Sequence, residues 1–121
     1  MTKRVLLVDD SETVIQFEKL MLRGLGYDLV TAKNGKLALT QVASQKPDLI
    51  LLDLVMPEMD GVETLRCLKG NPETKNIPVV VVTTKGDPGM AEQAFAAGCN
   101  DYITKPVDKV ELLDKLRKHL G

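Results

Sequence analysis

Acidic residues stand at two points of this chain where an apolar run ends, and their type and placement suit metal chemistry. Asp9 and Asp10 follow an apolar run at residues 5–8, and Asp53 interrupts another at residues 49–56. A carboxylate in such apolar surroundings is costly to bury without a partner. A few carboxylates with open water positions suit Mg²⁺ better than they suit a full calcium cage. We therefore expect a Mg²⁺ site where the fold brings these acids together.

A hydroxyl and an ammonium complement these acids. Thr83 closes a run of valines at residues 79–82, and Lys105 stands just beyond the last β-branched run of the chain. Taken singly, Thr83 could be an ordinary strand residue, Lys105 a solvated amine and Asp10 a turn former. Opposite a group of acids, the hydroxyl could donate to a phosphoryl group, and the ammonium could pair with Asp53 or with a phosphoryl oxygen. The acids, the hydroxyl and the ammonium together therefore indicate a phosphoryl-binding site more specifically than any one of them does.

Short β-branched and aliphatic runs alternate along the chain with stretches of helical spacing. Most of the runs are apolar at successive positions, as is typical of strands buried on both faces of a parallel sheet. The predicted strands are residues 5–8, 29–31, 49–52, 79–83 and 102–104. Repeated β-α units of this length predict an α/β fold with a doubly wound parallel sheet and right-handed crossovers.

Apolar residues recur at helical spacing in five further stretches, which predicts five helices. The spaced residues are Val14, Phe17, Met21 and Leu25; Ala38, Leu39 and Val42; Val62, Leu65 and Leu68; Ala91, Ala94 and Phe95; and Val110, Leu113, Leu116 and Leu120. Cap and turn residues mark helix ends. These residues are Ser11, Gly24 and Gly26 for the first helix, Asn34 and Gly35 for the second, and Asp60 and Gly61 for the third.

The carboxyl ends of the strands decide where a ligand can bind. In open α/β sheets, ligands bind outside these ends, at the point where the strand order reverses. The acids, the hydroxyl and the ammonium all stand at such ends. Two like charges about 4 Å apart repel by roughly 4 kcal/mol at an effective dielectric constant near 20. Three gathered acids therefore need a cation, and the oxygen ligands favour Mg²⁺.

Composition excludes several classes of protein. Sixteen basic and seventeen acidic residues leave a formal charge of -1, so no basic field attracts nucleic acid or anionic lipid. No apolar run approaches the roughly 20 residues of a membrane-spanning helix. Cys67, Cys99 and His119 are too scattered for a thiol redox motif or a zinc site, and isolated cysteines are typical of a reducing compartment. We expect one cytoplasmic domain over residues 1–121, with no direct nucleic-acid or membrane partner.

Three segments resemble the receiver domains of two-component response regulators, among them the chemotaxis-type single-domain proteins. Residues 5–10 are similar to the acidic-pair motif of that family, residues 47–61 to its phosphoacceptor segment and residues 98–106 to its closing motif. The resemblance covers essentially the whole chain. It implies a flavodoxin-like (βα)5 fold in which a five-stranded parallel sheet has the order 2-1-3-4-5.

The resemblance also implies a role for each site residue. Asp53 would be the phosphoacceptor, and Asp10, Asp53 and the backbone carbonyl of Val55 would coordinate Mg²⁺, with Asp9 acting through water. Thr83 and Lys105 would contact the phosphoryl oxygens. A cis bond between Lys and Pro is usual in the closing motif, here Lys105-Pro106.

The family resemblance further implies partners and a switch. A sensor histidine kinase or a phosphotransfer protein would donate the phosphoryl group from a phosphohistidine. Thr83 would then be drawn to the phosphoryl group, and the ring of Tyr102 would move inward. This movement would reshape the face made by the fourth helix, fifth strand and fifth helix, where a downstream protein would bind. The domain would catalyse its own phosphorylation and a slow dephosphorylation, without being a turnover enzyme.

Two other functions share parts of this pattern. A Mg²⁺-dependent phosphohydrolase of similar topology also forms an aspartyl phosphate, but it commonly has a second acid two residues beyond the nucleophile, where this chain has Val55. A flavodoxin-like cofactor binder would offer Gly, Ser or Thr amides after the first strand, where this chain has Asp9 and Asp10. Acids at that point would repel a phosphate unless a metal intervened.

Overall fold

The computed structural model describes residues 2–55, 61–84 and 88–121, and strands alternate with helices along them. The strands are β1 (Arg4–Val8), β2 (Asp28–Ala32), β3 (Leu49–Asp53), β4 (Val79–Thr84) and β5 (Asp101–Lys105). The helices are α1 (Glu12–Leu22), α2 (Gly35–Gln45), α3 (Gly61–Gly70), α4 (Pro88–Ala96) and α5 (Lys109–Leu120). Neighbouring strands are parallel, in the order β2-β1-β3-β4-β5. The predicted flavodoxin-like (βα)5 fold is confirmed.

The sheet separates two apolar cores. Successive residues of β1 alternate between them, since Leu6 and Val8 belong to one core and Val5 and Leu7 to the other. Helices α2, α3 and α4 cover the first core, whereas α1 and α5 cover the second, which we call the α1–α5 core. Burial on both faces explains why the strands are apolar at successive positions. Among the described residues, no helix is long and apolar enough to span a bilayer.

The strand order reverses between β1 and β3, because the chain continues from β1 to β2 on one side of it and later returns to β3 on the other. Val8 of β1 is in register with Leu52 of β3, and Asp53 is in register with Val82 of β4. Asp9 directly follows Val8 and therefore comes beside Asp53. The carboxyl ends of β1 and β3 thus form the edge at which open α/β sheets bind ligands.

Side-chain caps determine where several helices begin. Ser11 Oγ and Asn34 Oδ1 each accept a hydrogen bond from the backbone N–H three residues further on, at 3.3 and 2.8 Å. The predicted cap at Ser11 and the predicted start of the second helix at Asn34 and Gly35 are confirmed. Asp108 caps α5 in the same way at 3.0 Å. Sequence analysis did not single out this cap, although an Asp followed three residues later by Glu is a known helix-start pattern. The predicted helix opening at Asp60 lies outside the described residues.

The spaced apolar residues of α1 predicted its buried side only in part, since Met21 is half-buried against the α1–α5 core. Phe17 of that set is 58% exposed, whereas Ile15, Glu18 and Leu22 are buried. The apolar pattern was misleading because one of the three buried positions carries a carboxyl group. In α5, Val110 of the marked set is likewise exposed.

Gly61 packs closely against the end of β3. Its N–H donates to the carbonyl oxygen of Leu54 at 2.9 Å. A Cβ atom at position 61 would lie 2.5 Å from the carbonyl oxygen of Asp53 and closer still to the Cα of Leu54. Backbone atoms cannot move aside as the end of a flexible side chain can. Only glycine therefore fits here without displacing the backbone that carries Asp53.

We expect Gly61→Ala to lower the free energy of unfolding by about 1–3 kcal/mol, the usual cost of overpacking a buried position. Gly70→Ala is the matched control, because it lies in the same helix and a Cβ there would meet nothing within 4 Å. That control should leave stability unchanged or raise it slightly. Urea unfolding of both variants tests the expectation, and equal midpoints for the two would contradict it.

Candidate functional site

Three carboxylates meet at the carboxyl ends of β1 and β3. One oxygen from each of Asp9, Asp10 and Asp53 lies within 4.8 Å of the others. Asp9 and Asp53 are buried and Asp10 is exposed, so the cluster is open to solvent on one side. The N–H of Ser11 donates to Asp9 Oδ1 at 2.9 Å, and the N–H of Val55 donates to Asp53 Oδ1 at 3.3 Å. Backbone groups of the following turns thereby orient both buried carboxylates.

Lys105, at the end of β5, provides positive charge to this acidic cluster. Its Nζ lies 3.2 Å from Asp9 Oδ2 and 3.6 Å from Asp53 Oδ1. Burial alone would lower the pKa of the ammonium, but the charges of Asp53 and Asp9 outweigh burial and hold the pKa above its ordinary value. The peptide bond between Lys105 and Pro106 is cis. One ammonium among three carboxylates leaves the cluster negative.

The electrostatics of Asp53 favour a bound cation. Its pKa is raised to about 6, first by burial and then by the charge of Asp9, while Lys105 acts in the opposite direction. The ionised carboxylate is thus destabilised in its own surroundings, and a cation would relieve that cost. Carboxylate oxygens at this spacing, with one side open to water, fit a hard divalent ion. The carbonyl of Val55 as a further ligand stays a prediction.

Thr83 brings an unused hydrogen-bonding group to the same edge of the sheet. It follows Val82, which is in register with Asp53. The side chain is buried, and within the part of the chain that the structure describes its Oγ1 has no hydrogen-bond partner. Buried polar groups are normally paired. The hydroxyl is therefore available to a ligand that arrives at this edge.

Tyr102 lies at the surface, on the face formed by α4, β5 and α5. Its ring meets that of Phe95 edge-on, with centroids 5.5 Å apart, and Lys115 Nζ lies 5.3 Å from the ring centroid. The same ammonium donates to the carbonyl oxygen of Tyr102. Tyr102 is 37% exposed. An aromatic pair and a cation thus make up part of an accessible face.

Asp101 ties the beginning of β5 to the end of α5. Its carboxylate lies 3.1 Å from Lys115 Nζ and 3.3 Å from both Lys118 Nζ and His119 Nε2. Burial raises the pKa of Asp101, but hydrogen bonds from Lys115 and His119 outweigh burial and bring the pKa to about 2. This carboxylate is therefore stabilised in its ionised form, in contrast to Asp53.

Sequence reasoning missed Glu18, a buried carboxyl group of α1. Its pKa is raised to about 8, first by burial and then by the charge of Asp9, while Lys105 opposes the rise and Asp53 adds to it. The available signal was its position in the helix, because Glu18 lies three residues after Ile15 and four before Leu22, both of which are buried. A pattern of apolar residues could not identify this position as buried, since glutamate is not an apolar residue.

The raised pKa of Asp53 has a consequence for stability in the absence of metal. Between the ordinary pKa of 3.8 and the folded value of about 6, folded Asp53 binds more protons than unfolded Asp53. Stability is therefore lost as the pH rises through this window. Asp53→Asn removes the loss and should raise the free energy of unfolding at pH 7 by about 1–3 kcal/mol, with little change below pH 4. Urea unfolding in EDTA measures the free energy of unfolding at both pH values.

Asp101→Asn serves as the opposite control. Because the folded pKa of Asp101 is about 2, this carboxylate stabilises the fold above pH 4, and the contribution is lost as the pH falls towards 2. The variant should therefore be less stable than the natural protein at pH 7. A destabilised Asp53→Asn at that pH would contradict the electrostatic account of the acidic cluster.

Comparisons with known proteins agree on one family. The model of the response regulator receiver domain matches residues 5–117. The polar-differentiation response regulator DivK of Brucella anthropi is 33% identical over 121 residues, which cover 100% of this chain and 98% of DivK. The response regulator PleD of Caulobacter vibrioides is 40% identical over 117 residues, but these span 97% of this chain and 26% of PleD.

A solved structure of a similar receiver domain contains a metal ion. The receiver domain of the sensor histidine kinase PA1611 from Pseudomonas aeruginosa PAO1 is 30% identical and has a TM-score of 0.91, with 100% of this chain and 99% of that chain covered. That structure has a magnesium ion coordinated in the active site cleft. The chain described here belongs to the family of response regulator receiver domains.

Proposed function

We propose that residues 1–121 form a phosphorylation-driven signalling switch in which Asp53 accepts a phosphoryl group. The donor is the phosphohistidine of a sensor histidine kinase or of a phosphotransfer protein. The observation that carries the proposal is the placement of Asp53, a buried carboxylate 3.6 Å from Lys105 Nζ and next to two other acids at the binding edge of the sheet. Such a group is a nucleophile surrounded by charges that can position a phosphoryl group.

The transfer needs little covalent chemistry. An oxygen of Asp53 attacks phosphorus, the bond from phosphorus to the imidazole nitrogen breaks, and its electron pair stays on the leaving imidazole, which takes up a proton. Lys105 holds one phosphoryl oxygen and Thr83 donates to another, which uses its free hydroxyl. Asp10, Asp53 and the Val55 carbonyl, with Asp9 acting through water, would hold Mg²⁺, and its positive charge would offset the charge of the phosphoryl group. Positioning and charge neutralisation thus provide the catalysis.

Two features support a switch over a turnover enzyme. Val55 is apolar and 56% exposed, so the position two residues beyond Asp53 has no side chain that can act as an acid or a base. Asp9 and Asp10 stand where a cofactor binder would offer neutral amides. The proposed domain catalyses its own phosphorylation and hydrolyses the product slowly.

The output passes through the face formed by α4, β5 and α5. Once Thr83 donates to the phosphoryl group, it leaves room into which the ring of Tyr102 moves. Removal of this ring from Phe95 and Lys115 changes the surface that a downstream protein meets. A phosphoryl group shifts such an equilibrium only through its differential affinity for the two states, so the response is a population shift.

Asp53→Asn should abolish the gain of one phosphoryl group from a small acyl-phosphate donor in Mg²⁺, because the amide is not a nucleophile. Intact-mass measurement follows the adduct. Asp48→Asn is the matched control, since Asp48 stands before β3, where its carboxylate accepts from the N–H of Arg4 at 2.8 Å and an amide oxygen can do the same. The control should be phosphorylated at the natural rate. Equal adduct formation in Asp53→Asn would show that the acceptor lies elsewhere.

The phosphorylated state should be long-lived, because the side chains two residues beyond Asp53 and two residues beyond Thr83 cannot accept a proton from water. These side chains belong to Val55 and Lys85, and Lys85 lies outside the described residues. Val55→Asn combined with Lys85→Glu should speed loss of phosphate by about tenfold or more, equivalent to roughly 1.4 kcal/mol in barrier. The decay is followed after removal of the donor. Equally fast decay of the natural protein would refute this account of water positioning.

A further inference from the structure

A cavity of about 550 Å³ adjoins the acidic cluster on the side of α1. Apolar side chains make up most of its lining, among them Phe17, Met21 and Val107. Of the described residues that line it, Glu18 and Lys105 are the charged ones. A carboxyl group and an ammonium therefore border one cavity next to the site.

Glu18 is unusual among the charged residues of the described chain. It is 2% exposed, and its Oε1 has no hydrogen-bond partner within the residues that the structure describes. Leaving a buried carboxyl oxygen without a partner costs free energy. A group that is costly in one state of a protein can be compensated by a partner in another.

The fold places Glu18 on the same side of the sheet as the ammonium. Asp9, Asp53 and Lys105 each stand two positions beyond a strand residue of the α1–α5 core, and alternate residues of a strand share a face. Helix α1, which carries Glu18, covers that same core. The charges of Asp9, Lys105 and Asp53 all act on Glu18, as expected for groups in one neighbourhood.

A cation bound by the acidic cluster would weaken the contacts that hold Lys105 there. In the metal-free site, Nζ pairs with Asp9 at 3.2 Å and with Asp53 at 3.6 Å. A divalent ion held directly by Asp53, and through water by Asp9, would compete with both contacts. Lys105 then has two alternatives, which are water, since its side chain is 26% exposed, or the cavity that contains Glu18.

We propose that Glu18 is a positioning residue for Lys105 and that the cavity is a second resting place for its ammonium. When Asp10 and Asp53 hold a metal ion, with Asp9 acting through water, the Lys105 side chain turns into the cavity and pairs with Glu18 until a phosphoryl group arrives. This inference rests on the proposed function, because it assumes the same metal site.

The test compares how fast the Lys105 amine is methylated by formaldehyde and a mild reductant, with Mg²⁺ and in EDTA, as quantified by peptide mass spectrometry. In the natural protein, Mg²⁺ should leave the labelling of Lys105 slow. In Glu18→Gln, labelling should be as slow as in the natural protein in EDTA and should rise by about fivefold or more with Mg²⁺, the factor expected for loss of one ion pair.

Two further variants separate positioning from folding. Glu18→Asp retains a carboxylate and should restore much of the protection in Mg²⁺. Glu12→Gln removes an exposed carboxylate from the same helix, one that accepts from Gln16 at 2.9 Å, and should behave as the natural protein does. Circular dichroism checks that all variants are folded.

The outcomes distinguish this inference from the proposed function. A Mg²⁺-induced rise in Tm, together with equal labelling of Lys105 in the natural protein and in Glu18→Gln, would overturn the role of Glu18 alone. No rise in Tm of the natural protein would remove the metal site and this inference together. Labelling that rises with Mg²⁺ in Glu18→Gln only, with rescue by Glu18→Asp, supports the second resting place.

Discussion

Repulsion among carboxylates at the ends of β1 and β3 is the constraint on which the site depends. Asp9 and Asp53 are buried side by side, with Asp10 within 4.8 Å of both. Such a group of acids persists in an apolar fold only when other groups offset its charge. Lys105 and two backbone N–H groups do so in part. The charge that remains makes the edge of the sheet selective for cations, and a bound cation in turn allows an anionic group to approach.

The two buried side-chain atoms without a partner in the described residues, Glu18 Oε1 and Thr83 Oγ1, both belong to residues at or beside this cluster. Native proteins leave few such atoms unpaired. Their location indicates that the fold is less stable than it could be at the place where a bound metal ion or phosphoryl group would change the charge. The centre of the sheet shows the opposite, since residues 5–8 of β1, 49–52 of β3 and 79–82 of β4 are apolar and fully buried.

Much of this arrangement could be predicted from the sequence. Parallel strands that are apolar at successive positions have few alternative packings, so the placement of Asp9, Asp53 and Lys105 at one edge of the sheet followed from the pattern. The orientation of α1 could not be predicted in this way, because Glu18 occupies a buried position and breaks the apolar pattern. The unpaired hydroxyl of Thr83 was also beyond prediction, since a residue type does not reveal whether its partner is missing. Several strand bounds differed by one residue, where polar residues such as Asp28 and Asp101 continue the ladder.

The division of the interior by the sheet bears on how this protein can change over evolutionary time. Helix α1 packs into one core through Ile15 and Leu22, whereas α4 packs into the other through Ala94. A substitution that alters the outward surface of one of these helices therefore leaves the packing of the other undisturbed. A lineage can diversify the two surfaces separately after gene duplication, while the strand ends between them stay fixed by their shared chemistry.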